Sequence, residues 1–583
     1  MFSPTFERFR AWFFFHIWGI IVSVAIGLVI ALPPIIFRFS PEFKGVDMIQ
    51  TNAEAHYVAE VQEIYDGHPA LGNPYLEDLK DTPYLFPPFG PHIIAAIGRL
   101  LSLSAIEAVL VCRFLLTSLL AFVIYLCGVE ITKRRAVGLL VAPFIILGNN
   151  LLNPAQALEA ILHQYRQYPN VGFIGYGRPI NPTISSLFFF SYLLVFWRSL
   201  HRASNRIYTF LSIILFGLSF YVYLFTWLFI LTFNGFLFLI FAWQKDWAKV
   251  KKVALVSVGG LVLGIQYFLH SQAVVNHPWY VETAPRFGFV KSHEANFSRV
   301  VFGAFAIFLL SWRLFAKEVR LFFLAVFLTA LVVANEQVIT GQYLFNHHFH
   351  WYYNTPLTIF FFVTWGILLV SRFVNRPIAV RSVVLIGVLL LFGNGIARQT
   401  QAYRTALPFV HEEQRYAPVY AWLNTATPKD ATVFGPLPIV TLVPALTHSN
   451  AYYTGSALYT LISNERLLHS YLLFTYLERV PKDQIRTYLE EHRTEISYMV
   501  YGNQYRFIPG VCLTCFPDAV IDDLVRSYEN LNDQNFVAGL QKYPVRYLIW
   551  DKQKNPPWGL DALGLKSVFE AEEIVVYDVE GIP

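Results

Sequence analysis

The carboxylates that follow the first apolar stretch include candidates for a general base. Between positions 38 and 88 the sequence holds nine acidic and three basic residues. A carboxylate beside an apolar membrane surface is partly desolvated, so its proton affinity rises and it can deprotonate a hydroxyl that attacks an activated sugar carbon. We expect Asp47 or Glu54 to be this base. The alternative for Glu54 is that it only stabilises the start of a helix through the helix dipole.

A helix is predicted over residues 51–67, TNAEAHYVAEVQEIYDG. Polar capping residues stand at its start, a glycine at its end, and the apolar residues between them follow helical spacing. We expect His56 and Tyr57 on this helix to contact the substrate. Glu60 and Glu63 are expected on a solvated face.

Arg178 is the candidate for binding a phosphate. It lies in YGRPINPTISS (176–186), where Pro182 is placed to begin a membrane span. The guanidinium group suits phosphate geometry, so Arg178 would bind a lipid-linked phosphate. The alternative is that Arg178 extends to the lipid headgroups.

The polar segment 335–354 adds His348, His350 and Trp351. In an extended chain the two histidines would point to one face, which allows metal ligation, but so short a spacing is not a recognised zinc pattern. We favour hydrogen bonding of both histidines to the donor phosphate or sugar, with headgroup contact as the alternative. Trp351 is expected to bind substrate, although aromatic residues are also usual at a membrane interface.

Neither a metal nor another cofactor is expected. Cys512 and Cys515 form one Cys-x-x-Cys pair, whereas zinc usually needs two such pairs. In an oxidising compartment a local disulfide is the expected state.

The composition of the 583 residues indicates that these groups are held by a membrane protein. Apolar residues make up 55% and charged residues only 14%, which excludes a disordered chain and argues against a purely soluble enzyme. A net charge of +5 gives no reason to expect a nucleic-acid partner. Apolar stretches long enough for a bilayer predict eleven spans. They are 12–34, 105–128, 136–152, 183–199, 206–222, 225–243, 253–270, 299–315, 319–335, 355–371 and 381–397.

Lysine and arginine concentrate in alternate short loops, and this pattern predicts the orientation. The basic loops fall on one side of the eleven-span arrangement, together with a cytoplasmic N-terminus. The protein is therefore expected to be multi-pass in the plasma membrane, with its other loops outside the cytoplasm. The expected outside segments are 38–104, 153–182, a turn near 223, 271–298, 336–354 and everything after 397.

Two domains are predicted, a helical membrane domain over 1–397 and an extracytoplasmic α/β domain over 398–583. In the second domain, short β-type runs alternate with amphipathic helical stretches. The predicted strands are 432–437, 497–502, 545–551 and 574–579, and the predicted helices include 483–492 and 518–531.

These features together resemble the GT-C class of integral membrane glycosyltransferases. The resemblance is carried by the first-loop carboxylates followed by HYVAEVQEIYDGHP, by FPPFGPH, by GRPINP before a span, by FYVYLFTW within the membrane and by WLNTATPKDATVF at the start of the tail. It is closest to bacterial members grouped with the protein mannosyltransferase and aminoarabinose-transferase relatives.

The resemblance implies an all-α, GT-C-like membrane domain and an inverting transfer of a sugar from a polyprenyl-phosphate donor to an extracytoplasmic glycan, lipid or protein. It implies that Asp47 or Glu54 is the base and that Arg178 binds the donor phosphate. No adjacent Asp-Asp or Asp-Glu pair stands in the early part of the first outside loop that holds Asp47 and Glu54, so the choice between the two carboxylates stays open.

Two other functions are compatible with the sequence. A transporter or flippase of a lipid-linked saccharide would need polar residues along its spans, and these are scarce. A structural or regulatory membrane protein would bind polysaccharide through its tail, with no role for the first loop.

Overall fold

The protein was analysed as a computed structural model that describes residues 4–50, 52–166, 171–201, 206–374, 376–505 and 514–579. Its larger part is helical. The helices are α1 Pro4–Arg38, α2 Asn52–Tyr65, α3 Phe89–Leu100, α4 Ala105–Thr132, α5 Arg135–Leu147, α6 Pro154–His163, α7 Ser185–His201, α8 Arg206–Ser219, α9 Leu224–Trp243, α10 Trp247–Leu263, α11 Ile265–Val275, α12 Tyr280–Arg286, α13 Arg299–Leu310, α14 Lys317–Val333, α15 Glu336–Thr340, α16 His347–Phe349, α17 Thr355–Phe373 and α18 Pro377–Glu413.

Each of the eleven predicted spans coincides with one or two of these helices. Within the described residues, six helices are long and apolar enough to cross a membrane, or seven if the pair α10 and α11, bent by 48°, forms one span. The six are Arg10–Arg38, Ala105–Thr132, Pro179–His201, Leu224–Trp243, His347–Phe373 and Pro377–Ala426. The others are shorter, so eleven spans and their orientation stay predictions.

Helix α4 lies at the centre of the helical part. Ser104 caps its start, because the Ser104 side chain accepts a hydrogen bond from the backbone of Glu107 while the Glu107 carboxylate accepts one from the backbone of Ser104. The helix packs against α1, α5 and α7. This packing buries Arg113, whose side chain is inaccessible to solvent.

The C-terminal part combines helices with a small sheet, as predicted. Its helices are α19 Ala417–Ala426, α20 Leu437–Val440, α21 Val443–Leu446, α22 Asn464–Leu477, α23 Ile485–Glu491, α24 Arg493–Ile496, α25 Asp518–Glu529 and α26 Asp533–Leu540. Its strands are β3 Thr432–Phe434, β4 Asn450–Ala451, β5 Tyr547–Asp551, β6 Lys566–Ala571 and β7 Ile574–Asp578, while β1 Phe289–Lys291 pairs antiparallel with β2 Gln342–Leu344 between two of the loops.

The strand order of the C-terminal sheet is β4-β3-β5-β7-β6. Strands β4, β3 and β5 run parallel, whereas β7 is antiparallel to both β5 and β6. The strand predicted over 497–502 is wrong, because Ser497–Tyr501 continues helix α24 as a π-helical turn. Helix α18 runs without a break through position 398, so the predicted domain boundary lies within a helix.

The first loop and the C-terminal part are joined by polar contacts. The backbone N–H of Ala451 donates to the Tyr75 carbonyl at 2.9 Å. The Asn73 side chain donates to Thr460 at 2.7 Å. Arg466 Nε lies 3.2 Å from a carboxylate oxygen of Asp78. These contacts hold the C-terminal part over helix α2.

Candidate functional site

One cavity of about 460 Å³ lies between the helical part and the C-terminal part. Its lining residues come from all six segments that the charge pattern predicts to lie outside the cytoplasm. In chain order, these segments contribute His56, Arg178, Tyr223, Phe287, His348 and Tyr459, among others. Segments far apart in the sequence thus meet around one space.

The cavity is largely apolar but holds one charged residue of each sign. Among the described residues that line it, Glu60 is the only carboxylate and Arg178 the only lysine or arginine. The apolar walls include Phe86, Phe225 and Phe345. A pocket of this kind, apolar with a few converging polar groups, is typical of a ligand-binding site.

Arg178 is held at the cavity wall by the hydroxyl group of Tyr352. Its Nη2 atom donates to the Tyr352 hydroxyl at 2.9 Å. A Cβ at Gly90 would lie 2.9 Å from Cγ2 of Ile180, so glycine lets helix α3 approach the Arg178 segment closely. The predicted phosphate-binding residue therefore faces the cavity, where a guanidinium and neighbouring hydroxyl groups can bind an anion.

His348 lies beside Arg178 in the same wall. The Tyr223 hydroxyl and Nδ1 of His348 are 2.6 Å apart, and the His348 ring stacks on Tyr352 with 5.4 Å between ring centroids. Arg178, Tyr352, His348 and Tyr223, which we name the anion cluster, thus form a continuous polar patch. Of its members, sequence analysis proposed Arg178 and His348 and missed both tyrosines, although Tyr223 stands in the quoted FYVYLFTW motif.

Helix α2 presents His56, Tyr57 and Glu60 to the cavity. Nε2 of His56 lies 3.3 Å from Oε1 of Glu60, one helical turn away. The expectation of a solvated face is wrong for Glu60 and for Glu63, which are only 8% and 5% exposed. They are buried because the C-terminal part and the rest of the first loop cover α2. The polarity of the α2 sequence does not reveal this covering.

Glu63 is occupied by a contact outside the cavity. Its carboxylate accepts from Nζ of Lys80 at 2.6 Å, and Lys80 also lies 3.4 Å from Asp430 of the C-terminal part. Glu63 therefore links helix α2 to the C-terminal part. Spacing does not separate Glu60 from Glu63 in the sequence, since positions 56, 60 and 63 share one helical face.

The predicted bases Asp47 and Glu54 are not among the cavity-lining residues. Glu54 pairs with Arg113 of α4, and both side chains are fully buried. The carboxylate of Glu54 also accepts the backbone N–H of Gln50 at 2.7 Å. Asp47 lies 3.7 Å from Arg38 and is 5% exposed, and burial raises the pKa of its carboxyl against the opposing effect of Arg38.

His350 and Trp351 are likewise not among the lining residues. The expected extended chain is wrong here, because His347–Phe349 is helical and His350–Asn354 is a π-helical turn. A helical backbone does not place residues two apart on one face, so His348 and His350 diverge. Trp351 is 47% exposed and its ring contacts His350.

Metal ligation finds no support in the described part of the chain. No group of three or more histidine, cysteine, aspartate or glutamate side chains there could hold a metal ion. Cys515 is disulfide-bonded, and Cys512 lies outside the described residues.

The C-terminal part supplies a polar wall that sequence analysis missed. Together with the loop residues, the cavity is lined by Thr441, Ser456, Tyr459, Tyr498 and Asn503. Tyr498 reaches it through the π-helical turn Ser497–Tyr501. Hydroxyl and amide groups of this kind can hydrogen-bond a sugar or another polar acceptor.

No protein-family model and no characterised protein matches the sequence. Among solved structures, the chain is similar to the oligosaccharyltransferase of Archaeoglobus fulgidus. The structure tethered to an acceptor peptide containing the NVT sequon has 12% identity, covers 93% of this chain and 70% of that one, and gives a TM-score of 0.48. The apo form has 12% identity, coverage of 92% and 70%, and a TM-score of 0.45. The complex with Zn and sulfate has 11% identity, coverage of 91% and 68%, and a TM-score of 0.44. TM-scores below 0.5 do not assign an activity to this chain.

Proposed function

We propose that the protein is a membrane glycosyltransferase that transfers a sugar from a polyprenyl-phosphate donor to a glycan, lipid or protein outside the cytoplasm. The observation that carries this proposal is the cavity to which all six predicted outside segments contribute, with one arginine and one carboxylate among its described lining residues. Phosphate binding and proton removal are the two tasks that such a transfer requires.

The anion cluster would hold the donor phosphate. Arg178 supplies the permanent positive charge, and the hydroxyl of Tyr352, 2.9 Å away, is positioned to share the same oxygen atoms. Stabilising the negative charge that develops on a leaving phosphate lowers the barrier to cleavage of the sugar–phosphate bond. The phenylalanine side chains beside the cluster suit the isoprenoid chain.

The acceptor would attack the anomeric carbon from the side opposite the phosphate and invert its configuration. A phosphate leaves without help from an acid, so one carboxylate suffices, in contrast to the pair that glycoside hydrolysis generally uses. The polar wall of Thr441, Ser456 and Tyr459 is available to the sugar or to the acceptor. No cofactor enters this scheme.

The test uses the full-length protein in nanodiscs with undecaprenyl phosphate and a panel of undecaprenyl-phosphate sugars with glycan, lipid and peptide acceptors. A charge-assisted hydrogen bond contributes about 1.5–3 kcal/mol, so Arg178→Ala should weaken binding of undecaprenyl phosphate roughly 10- to 100-fold. Release of undecaprenyl phosphate from the donor should fall at least as much.

Arg166→Ala is the matched control, because Arg166 is an exposed arginine of the same predicted outside segment and does not line this cavity. Equal binding by the wild type and Arg178→Ala would contradict the proposal. Translocation of lipid-linked sugar across proteoliposomes without any transfer would favour the flippase alternative.

A further inference from the structure

Four acidic residues in and just before helix α2 lie in distinct environments, and only one of them lines the cavity. Glu54 is paired with Arg113 of α4. Glu63 is bound by Lys80 at 2.6 Å. Asp47 is buried near Arg38. Glu60 alone of the four stands in the cavity wall that also contains Arg178.

We propose that Glu60 is the general base of the transfer and that His56 is its positioning residue. This inference rests on the proposed function, because it names a role within the same reaction. It moves the base by about 1.7 helical turns from Glu54, the nearer of the two residues that sequence analysis favoured.

The surroundings of His56 support a positioning role. Its ring stacks on Tyr75 with 5.4 Å between centroids and meets Phe86 edge-on at 6.4 Å. Tyr75 is itself 1% exposed, so the imidazole rests on a buried surface. With its ring packed in this way, His56 directs Nε2 at Oε1 of Glu60 and restricts the rotamers of the carboxylate.

The chemical step balances with the groups already present. The acceptor hydroxyl transfers its proton to the Glu60 carboxylate as its oxygen forms a bond to the anomeric carbon. The bond between that carbon and the phosphate oxygen breaks, and its electron pair leaves with the polyprenyl phosphate beside Arg178. Glu60 then releases the proton to solvent, and no oxidant or reductant is required.

The decisive variant is Glu60→Gln, which keeps the shape of the side chain and cannot accept the proton. General-base catalysis typically contributes 10²–10⁴-fold. Turnover of the undecaprenyl-phosphate sugar at saturating donor and acceptor should therefore fall at least about 100-fold, while binding of undecaprenyl phosphate stays within about threefold of the wild type. Asp81→Asn is the matched control and should keep most of its turnover, because Asp81 is an exposed acidic residue of the same predicted outside segment and does not line the cavity.

Two outcomes would overturn the role of Glu60. One is Glu60→Gln turnover above about one tenth of the wild type, and the other is an equal loss of turnover and lipid binding, which would indicate a structural role. Glu60→Asp covers the case in which Glu60→Gln does not fold, since it retains a carboxylate and should keep measurable turnover. An inactive wild type that also fails to bind undecaprenyl phosphate would instead refute the proposed function.

The positioning role of His56 has its own readout. His56→Gln keeps an N–H that can reach Glu60, whereas His56→Phe keeps only the ring packing. We expect His56→Phe to lower kcat about 10-fold with little change in the KM for donor, and His56→Gln to recover most of that loss. Equal kcat values for the two variants would contradict the positioning role.

Discussion

Glu54 and Glu60 lie six residues apart on one helix and in opposite environments. Glu54 faces the helical part, where it is fully buried and paired with Arg113. Glu60 faces the cavity, where its neighbour is His56 at 3.3 Å. A carboxylate paired with a buried guanidinium stabilises the fold, whereas a carboxylate beside an imidazole at a cavity wall can contact a substrate. Charge and burial alone therefore do not identify a catalytic group.

The largest effect should come from breaking the buried pair. Removing one partner of a buried ion pair leaves an uncompensated charge and costs about 3–5 kcal/mol. We expect Glu54→Gln to lower the free energy of unfolding by that amount, whereas Glu60→Gln should change it by less than about 1 kcal/mol. Thermal and denaturant unfolding of the detergent-solubilised protein would measure both.

The control for this prediction is the double variant Glu54→Gln, Arg113→Met. Because it removes both charges, it should recover at least half of the lost stability. Wild-type stability in Glu54→Gln would show that the pair is not structural, and the contrast between the two carboxylates would then fail.

A third carboxylate, Glu336, provides an intermediate case. Burial raises the pKa of Glu336 to about 7, whereas an unfolded chain titrates near 4.5. Between these values the folded state binds more protons than the unfolded state, so the free energy of unfolding falls as pH rises from about 4.5 to about 7. Discounted for partial exposure, the loss should be roughly 1–2 kcal/mol.

The measurement is a series of unfolding transitions between pH 4.5 and 7.5 for the wild type and for Glu336→Gln. The variant lacks the titrating group, so it should lose less stability over this range. Parallel pH profiles for the two proteins would show that the carboxyl of Glu336 has an ordinary pKa.

The smallest expected effect is a difference in lipid-phosphate binding between variants of two neighbouring residues, Trp351 and Tyr352. Tyr352→Phe removes the hydroxyl that accepts from Arg178, and one hydrogen bond contributes about 0.5–1.5 kcal/mol, so binding of undecaprenyl phosphate should weaken about 2- to 10-fold. Trp351→Ala should change binding less than twofold, because Trp351 does not line the cavity. A stronger effect of Trp351→Ala would restore Trp351 as a binding residue.

Arg178 and His348 show how far site prediction from this sequence could go. Each is a polar residue beside an apolar span. The charge pattern predicts that both lie outside the cytoplasm, and both line the cavity. His350 was placed by assuming an extended chain, but the local backbone is helical. The second tyrosine of the anion cluster, Tyr352, carried no separate signal among the many aromatic residues of its segment.

The sequence by itself determined the properties that depend on short-range physics. Apolar length located the helices that coincide with the eleven predicted spans, and short runs of β-type residues located strands β3, β5 and β7. The basic residues of alternate loops also grouped the six segments that meet at the cavity.

Only the tertiary structure decided which carboxylate faces that cavity. The environments of Glu54, Glu60 and Glu63 depend on Arg113, His56 and Lys80, and two of these partners are distant in sequence. The rotation of α2 about its axis follows from its packing against α3, α4 and α21. No local pattern encodes that rotation, because a helix with carboxylates on several faces can be buried in more than one way.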